Sequence, residues 1–427
     1  MILLNSRVLP NRYAASSLVA VFILILNSLF FNSVFMNILP LSGYFVVALN
    51  AAAIVFLMTI KSRIVGSLYV LVFFVSIFLS AMQAIYFSDL YYLAYSGFFF
   101  LSLFVVMLCS MKDLSVLVDI LSIVFFLMLI FAIFAFILAL LGIDPVYVTE
   151  NRDGRPLYYF YFSFTNSYYG NLMRPSGIFD EPGAFSFYIS ALCCLRVLLG
   201  KDERLTFYIL LMGFITMSLA HVIFFFLYVI SQARLRKVFN FRSVVLFFVV
   251  FSAAFYFMGD IFYDMLFSRF DLGGDGLVAG DNRSNLIMNA LQFIYENPKS
   301  ILVGIGPECL LNHQSCALLM PHFNSNPFEP LIRVGLLQSW LYYLLLLVAF
   351  IAPFFGRRYF VVFGFGLLLL QRPYLMHVSY SLYSVVIVCI TLGVVVSKIN
   401  QILAASSISA SAHYLKWTPK VEQVPKL

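Results

Sequence analysis

One short segment of this chain combines charges of both signs with residues that force turns. Arg174 and Glu181 begin and end the eight-residue sequence Arg-Pro-Ser-Gly-Ile-Phe-Asp-Glu. Pro182 and an apolar stretch follow it. Proline favours the first turn of a helix, so we expect a helix to start near Gly183. Guanidinium groups bind phosphate oxygens in pairs and stay charged when partly desolvated. The segment predicts an anion site, although Asp180 or Glu181 could instead cap the helix.

Three further arginines belong to the same argument. Arg269 precedes an acidic, glycine-rich stretch, Arg283 opens a helix predicted over 285–295, and Arg372 lies between two apolar stretches. An arginine in the first turn of a helix gains nothing from the helix dipole, so a bound anion would account for Arg283. The aspartates of the acidic stretch miss the ligand spacing of a calcium loop, so we predict no metal site there. They are Asp271, Asp275 and Asp281.

Composition places these residues in a membrane protein. The chain has 427 residues, of which 63% are hydrophobic and 11% charged, more apolar surface than one soluble core could bury. Apolar runs of about twenty residues recur, and at that length only helices pair every backbone group inside lipid. The net charge of +7 comes from basic residues scattered among short connections, which is typical of topology signals. We expect an all-α polytopic membrane protein with the lipid bilayer, and no nucleic acid, as its partner.

Basic connections also set the predicted topology, because lysine and arginine concentrate on the cytoplasmic side. Both termini are then cytoplasmic. The segment 205–233 lies between two basic clusters, so it is predicted to be a hairpin of short helices. The twelve predicted spans lie near 14–36, 41–60, 64–87, 91–111, 115–142, 183–199, 205–217, 219–233, 243–259, 331–351, 359–371 and 374–397. The predicted regions are a five-helix bundle (1–142), an outer loop (143–182), further helices (183–259), a second outer loop (260–330), C-terminal helices (331–400) and a tail (401–427).

The two outer loops carry two further features. Tyr158–Phe164 is a run of aromatic residues, followed by Tyr168 and Tyr169. Such side chains suit sugar rings, but they equally form aromatic belts at the lipid headgroups. Cys309 and Cys316 could form a short-loop disulfide on an oxidising side of the membrane, or pack as two thiols on one helix face.

Several motifs together resemble the O-antigen ligase and polymerase superfamily. The first motif is Arg-x-Ser-Gly-x-Phe-x-x-Pro in the first outer loop. The second is a helix that begins with an arginine and is followed by Asn-Pro and Gly-Ile-Gly. The third is Gly-Leu-Leu after a polar segment. Ligases of this superfamily have a histidine eleven residues before that glycine. Here the glycine is Gly335, Asn324 stands at the histidine position, and His322 lies two residues earlier. Arg333 replaces a ligase glutamate, and Glu181 stands where ligases often have histidine, so the chain is most like the Wzy-type O-antigen polymerases.

The resemblance implies a GT-C-like membrane glycosyltransferase of the bacterial inner membrane. Such an enzyme transfers a growing glycan from undecaprenyl pyrophosphate to a lipid-linked repeat unit on the periplasmic side, with inversion and without a metal or other cofactor. It implies a chain-length regulator protein as a partner. The expected catalytic residues are Glu181, His322, Arg174 and Arg283. The expected substrate-binding residues are Arg372, Asn324, Arg333, Arg269, Tyr168 and Tyr169.

Two other functions fit parts of the same pattern. An O-antigen ligase would use the same donor but transfer the glycan to the lipid A core. A polysaccharide-lipid transporter could also use buried arginines, but transporters usually place their charges near the bilayer midplane, within repeated halves. Here the charges lie at predicted membrane boundaries beside long loops.

Overall fold

Helices make up most of the structure, a computed structural model that describes residues 67–88, 108–150, 155–169, 172–232, 282–305, 326–373 and 380–397, with shorter pieces between 19 and 106. Within these residues, three helices are long and apolar enough to cross a membrane: Met111–Leu140, Glu329–Phe355 and Tyr380–Ser397. The structure is consistent with the expected helical membrane protein.

The principal helices of the described residues are numbered α1 to α10 in chain order. They are α1 (Ser67–Phe87), α2 (Met111–Leu140), α3 (Pro182–Leu198), α4 (Glu203–Met212), α5 (Leu219–Ser231), α6 (Asn282–Glu296), α7 (Ser300–Val303), α8 (Glu329–Ile351), α9 (Phe360–Gln371) and α10 (Tyr380–Ser397). Short 3₁₀ turns at Gly213–Thr216 and Ala352–Phe355 extend α4 and α8. The main core lies where the aromatic side chains of α3 pack against α2, α9 and α10.

Five short strands lie in the first predicted outer loop. They are β1 (Tyr147–Glu150), β2 (Pro156–Phe160), β3 (Ser163–Thr165), β4 (Tyr168–Tyr169) and β5 (Leu172–Met173). The first three form an antiparallel sheet in the order β1-β2-β3, and β4 pairs with β5. These strands depart from the all-α class expected from composition. Aromatic residues favour strands, so the run at 158–164 supports them.

Local sequence signals explain several helix boundaries. The Ser110 hydroxyl accepts from the Asp113 N–H while the Asp113 carboxylate accepts from the Ser110 N–H, a reciprocal cap that starts α2 one turn before the predicted 115. Helix α3 begins at Pro182, as its proline suggests. The break predicted between 217 and 219 coincides with a left-handed Met217 between α4 and α5. The predicted span 243–259 and most of the span 41–60 lie outside the described residues.

Charged contacts fall at two opposite ends of the helices. At one end Lys201 pairs with Asp119, and Arg358 donates to the Val197 and Leu198 carbonyls at the end of α3. Helix α3 runs from the other end, and α9 runs back to it, so the start of α3 meets the end of α9 there. The strands lie at the end where α3 starts, because they pack on the last turns of α2.

Two glycines allow α7 and α8 to cross in close contact. Gly304 (φ +82°) ends α7, and Gly335 (φ +64°) kinks α8. A Cβ on Gly304 would lie 2.5 Å from the Arg333 carbonyl oxygen, and a Cβ on Gly335 would collide with the Leu302 carbonyl. The Gln83 side chain of α1 donates to carbonyls on both sides of the crossing, those of residues 303 and 334. The Gly-Ile-Gly and Gly-Leu-Leu motifs, which are separate in the sequence, therefore start at one contact point.

We expect Gly335→Ala to destabilise the protein more than Gly200→Ala. Both glycines have positive φ, +64° and +67°, so alanine is strained at either position, by about 1–3 kcal/mol. At Gly335 the ψ of 178° also lies in a region that is nearly confined to glycine. Nothing lies within 4 Å of a Cβ at Gly200, whereas at Gly335 the added atom meets the backbone of α7. Overpacking adds about 1–3 kcal/mol there. Thermal unfolding of the purified protein in detergent measures both variants, and equal losses would contradict the close crossing.

Candidate functional site

The backbone of the Arg174–Glu181 segment is held by the small strands. The Arg174 N–H donates to the Ser167 carbonyl (3.0 Å), and the Thr165 hydroxyl donates to the Arg174 carbonyl (2.6 Å). Further along, the Ser176 and Phe164 backbones pair in the manner of a sheet, with the Ser176 N–H 2.8 Å from the Phe164 carbonyl oxygen. The sheet therefore fixes where the arginine leaves the backbone.

The central residues of the motif make structural contacts. The Ser176 hydroxyl lies within hydrogen-bond distance of the Phe164 and Phe179 carbonyls, and Gly177 takes the left-handed conformation expected of a glycine turn. Phe179 is buried and stacks on Tyr188 of α3 with ring centroids 4.3 Å apart. These three residues fold the segment so that Arg174 and Glu181 approach one another across the turn.

Arg174 binds the tip of the α4–α5 hairpin. Its guanidinium donates to the Thr216 carbonyl (3.2 Å) and the Met217 carbonyl (3.0 Å). These are carbonyls at the C-terminal end of a helix, where a cation is stabilised by the helix dipole. The hairpin is also held internally by the buried His221, whose Nε2 lies 2.8 Å from the Leu210 carbonyl oxygen. Because Arg174 binds this hairpin, it has a packing role that its sequence did not indicate.

Glu181 forms an ion pair with Arg372 across two antiparallel helices. The carboxylate precedes the first turn of α3, and the arginine follows the last turn of α9. Both positions favour the charges they hold, because helix N-termini stabilise anions and C-termini stabilise cations. A Cβ on Gly183 would collide with the Arg372 guanidinium, so the glycine makes room for it. Arg155 adds a second, exposed cation 4.0 Å from the same carboxylate.

The electrostatic balance at Glu181 favours the ionised form. Burial alone would raise the pKa of this carboxyl group, but Arg372 and, more weakly, Arg155 and Arg174 outweigh it and lower the pKa below its ordinary value of 4.5. Three arginines therefore act on one carboxylate. A carboxylate with a lowered pKa accepts protons less readily, so this environment suits a counter-ion for the arginines better than a general base.

The capping alternative for Glu181 is met in position and electrostatics but not in hydrogen bonding. Glu181 is the residue before the first turn of α3, but its side chain makes no capping hydrogen bond to that turn. The helix start instead places the carboxylate beside Arg372, a contact that depends on a helix much later in the chain.

Arg333 lies at the same end of the structure. The Tyr342 hydroxyl of α8 donates to the Leu369 carbonyl of α9 (2.9 Å), and because the helices are antiparallel, the start of α8 lies toward the Arg372 end. The Arg333 Nε lies 3.0 Å from the Glu329 carboxylate one turn earlier. The buried Glu329 therefore restrains this predicted substrate-binding residue.

The remaining predicted residues are placed as follows. Arg283 lies in the first turn of α6, whose Ala290 packs against Ile332 of α8. Tyr168 packs on Phe160 with ring centroids 5.1 Å apart, in a cluster at the end of α2, and residue 169 pairs with 172 in the β4–β5 strands. Predicted residues outside the described ones are Arg269, Asp271, Asp275, Asp281, Cys309, Cys316, His322 and Asn324.

Sequence reasoning missed three residues that shape this end. Arg155 belongs to no motif, although the rule that flagged Arg174, a charge in an outer loop, applies to it equally. Glu329 and Gln83 act through contacts with distant segments that no local pattern encodes.

Within the described residues, no three His, Cys, Asp or Glu side chains lie close enough together to hold a metal ion. No family model matches the chain, and neither a curated protein nor a solved structure matches it.

We expect Glu181→Gln to destabilise the protein at neutral pH, because it leaves the half-buried Arg372 without its carboxylate. A lost bond to a charged partner costs about 1–3 kcal/mol. Since the folded-state pKa of Glu181 is lowered, its stabilisation is complete above the ordinary pKa and is lost as pH falls through the folded-state value. The Tm difference from wild type should therefore be constant near neutrality and shrink below about pH 4.

The matched control is Glu203→Gln, which removes an exposed carboxylate at the opposite end of the structure. It should change Tm little at any pH. A Glu181→Gln loss that persists unchanged in acid would show that the carboxylate charge is not what stabilises the contact.

Proposed function

We propose that this protein is an O-antigen polymerase, a glycosyltransferase of the bacterial inner membrane. It transfers a growing glycan from undecaprenyl pyrophosphate to the non-reducing end of a lipid-linked repeat unit on the periplasmic side. The chain would cross the membrane twelve times with both termini in the cytoplasm, and a chain-length regulator protein would be its partner. The observation that carries the proposal is the convergence of Arg155, Arg174 and Arg372 on one carboxylate at a helix boundary.

A pyrophosphate joined to a lipid matches this arrangement in charge and position. Ionisable residues within a membrane are costly and usually serve a ligand or one another. Three arginines act on one glutamate, and a pyrophosphate would bind their guanidinium groups through bidentate bonds. Arg283 and Arg333 belong to helices packed at this same end and could extend the anion site.

The reaction needs charge stabilisation more than covalent chemistry from the protein. The acceptor hydroxyl oxygen attacks the anomeric carbon, the bond from that carbon to the pyrophosphate oxygen breaks, and configuration inverts. The electron pair leaves with the pyrophosphate, whose growing charge the arginines stabilise. The hydroxyl proton passes to a base. The low pKa of Glu181 favours a positioning role for it, so His322 is the remaining candidate base.

Loss of the arginines should abolish polymer formation while the protein stays folded. Purified protein given a defined lipid-linked repeat unit is expected to produce a ladder on a gel, and Arg174→Ala, Arg283→Ala and Arg372→Ala to produce none. Lysine at these positions should rescue poorly, because a point charge lacks the planar fork. Arg204→Ala, which changes an exposed arginine at the opposite end, should retain the ladder.

Two outcomes would count against the proposal. A normal ladder from Arg372→Ala would remove the pyrophosphate role of the ion pair. Transfer of the glycan to a lipid A core acceptor, with no ladder on the carrier lipid, would identify a ligase instead.

A further inference from the structure

The turn between β2 and β3 places two exposed aromatic side chains beside α2. Tyr161 and Phe162 are 44% and 53% exposed, and the Phe162 ring stacks on Phe131 of α2 with centroids 4.8 Å apart. Phe131 borders an exposed apolar face of this helix. That face consists of Ile123, Leu127, Ile130, Phe134 and Ile137. In a membrane-crossing helix such a face is the one that lipid covers.

The length of α2 limits how far from lipid the turn can be. Its 30 residues span about 45 Å, against a hydrocarbon thickness of about 30 Å. If the hydrocarbon begins at Met111, Phe131 lies about 30 Å further on, at the opposite boundary. If it begins at Asp119, which pairs with Lys201, Phe131 lies about 12 Å inside that boundary. Both limits place Phe162 at or below the edge of the hydrocarbon.

The backbone of the turn is suited to such a place. Tyr161 has a left-handed conformation (φ 48°), and its carbonyl accepts a hydrogen bond from the Tyr159 hydroxyl. A carbonyl near hydrocarbon has little water to bond, so an internal donor lowers the cost of placing it there.

The opposite end of the same sheet has a different character. Glu150 ends β1 opposite Pro156, and both are exposed, as is the neighbouring Arg155 side chain. Strand β2 separates this charged end from the aromatic turn by about 13 Å. The sheet is therefore graded from charged to apolar along its strands.

We propose that the Tyr161–Phe162 turn is a membrane anchor that inserts into the lipid leaflet at this end of α2. The residues that follow the turn connect it by hydrogen bonds to the Arg174–Glu181 segment. The Ser163 hydroxyl accepts from the Gly177 N–H (3.0 Å), and the Phe164 N–H donates to the Gly177 carbonyl (2.8 Å). Anchoring the turn therefore sets the depth of the Arg174–Glu181 segment. The anchor rests on the helix and sheet geometry and holds whatever reaction the site performs.

Tryptophan fluorescence in lipid nanodiscs tests the anchor directly. The 427-residue chain has two tryptophans, and Trp340→Phe with Trp417→Phe gives a background without them. Phe162→Trp and Glu150→Trp are then made separately in that background, and each is quenched with brominated lipid and with aqueous iodide. Phe162→Trp should be quenched several-fold more by brominated lipid than Glu150→Trp, and Glu150→Trp more by iodide.

Two results would overturn the anchor. Iodide quenching of Phe162→Trp equal to that of Glu150→Trp would place the turn in water. Protection from both quenchers would mean that protein, such as a second copy of the chain, covers it. Tyr161→Trp provides a second reporter if Phe162→Trp does not fold, and Tm relative to the background checks folding of each variant.

Discussion

The structure depends on how charge is accommodated beside an apolar helical core, and the Glu181–Arg372 pair is the clearest case. Either group alone would be a poorly solvated charge at a helix end, and truncating one member of a buried pair is costly. Paired, they join the start of α3 to the end of α9 and hold the two antiparallel helices in register. Gly183 is part of the same constraint, because a side chain there would occupy the space of the guanidinium. The position of Arg372 thus follows from two helix boundaries.

The arginines at the two ends of the helices have different partners. At the end away from the strands, Arg358 donates hydrogen bonds to the last carbonyls of α3. The buried Arg196 donates to the Ser122 and Thr206 hydroxyls. These cations are used within the fold. At the other end, Arg372, Arg155 and Arg174 act on the Glu181 carboxylate, and Arg333 pairs with Glu329. A cluster of arginines around one carboxylate suits an anionic headgroup whose lipid tail stays in the membrane, which is the chemistry of the proposed donor.

The sequence predicted the elements whose causes are local. Apolar runs predicted α1, α2, α3 and α8 to within a few residues, Pro182 predicted the start of α3, and the break between α4 and α5 fell where basic clusters required a hairpin. The strands were missed because the aromatic run was interpreted for its chemistry and not for its strand propensity. The pairing of Glu181 with Arg372 and the crossing of Gly304 with Gly335 could not be predicted, since each joins segments far apart in the chain. The capping interpretation gave Glu181 the correct helix position but not its ion-pair partner, because local rules describe the helix start and not the helix that packs beside it.

The proposed function requires that the arginines around Glu181 bind a lipid-linked pyrophosphate. Native mass spectrometry of the purified protein with a polyprenyl pyrophosphate and the matching monophosphate tests it most directly, with Arg372→Gln and the exposed Arg204→Gln compared side by side. We expect wild type and Arg204→Gln to prefer the pyrophosphate, and Arg372→Gln to lose that preference while remaining folded. A folded Arg372→Gln variant that keeps the full preference for pyrophosphate would contradict the account.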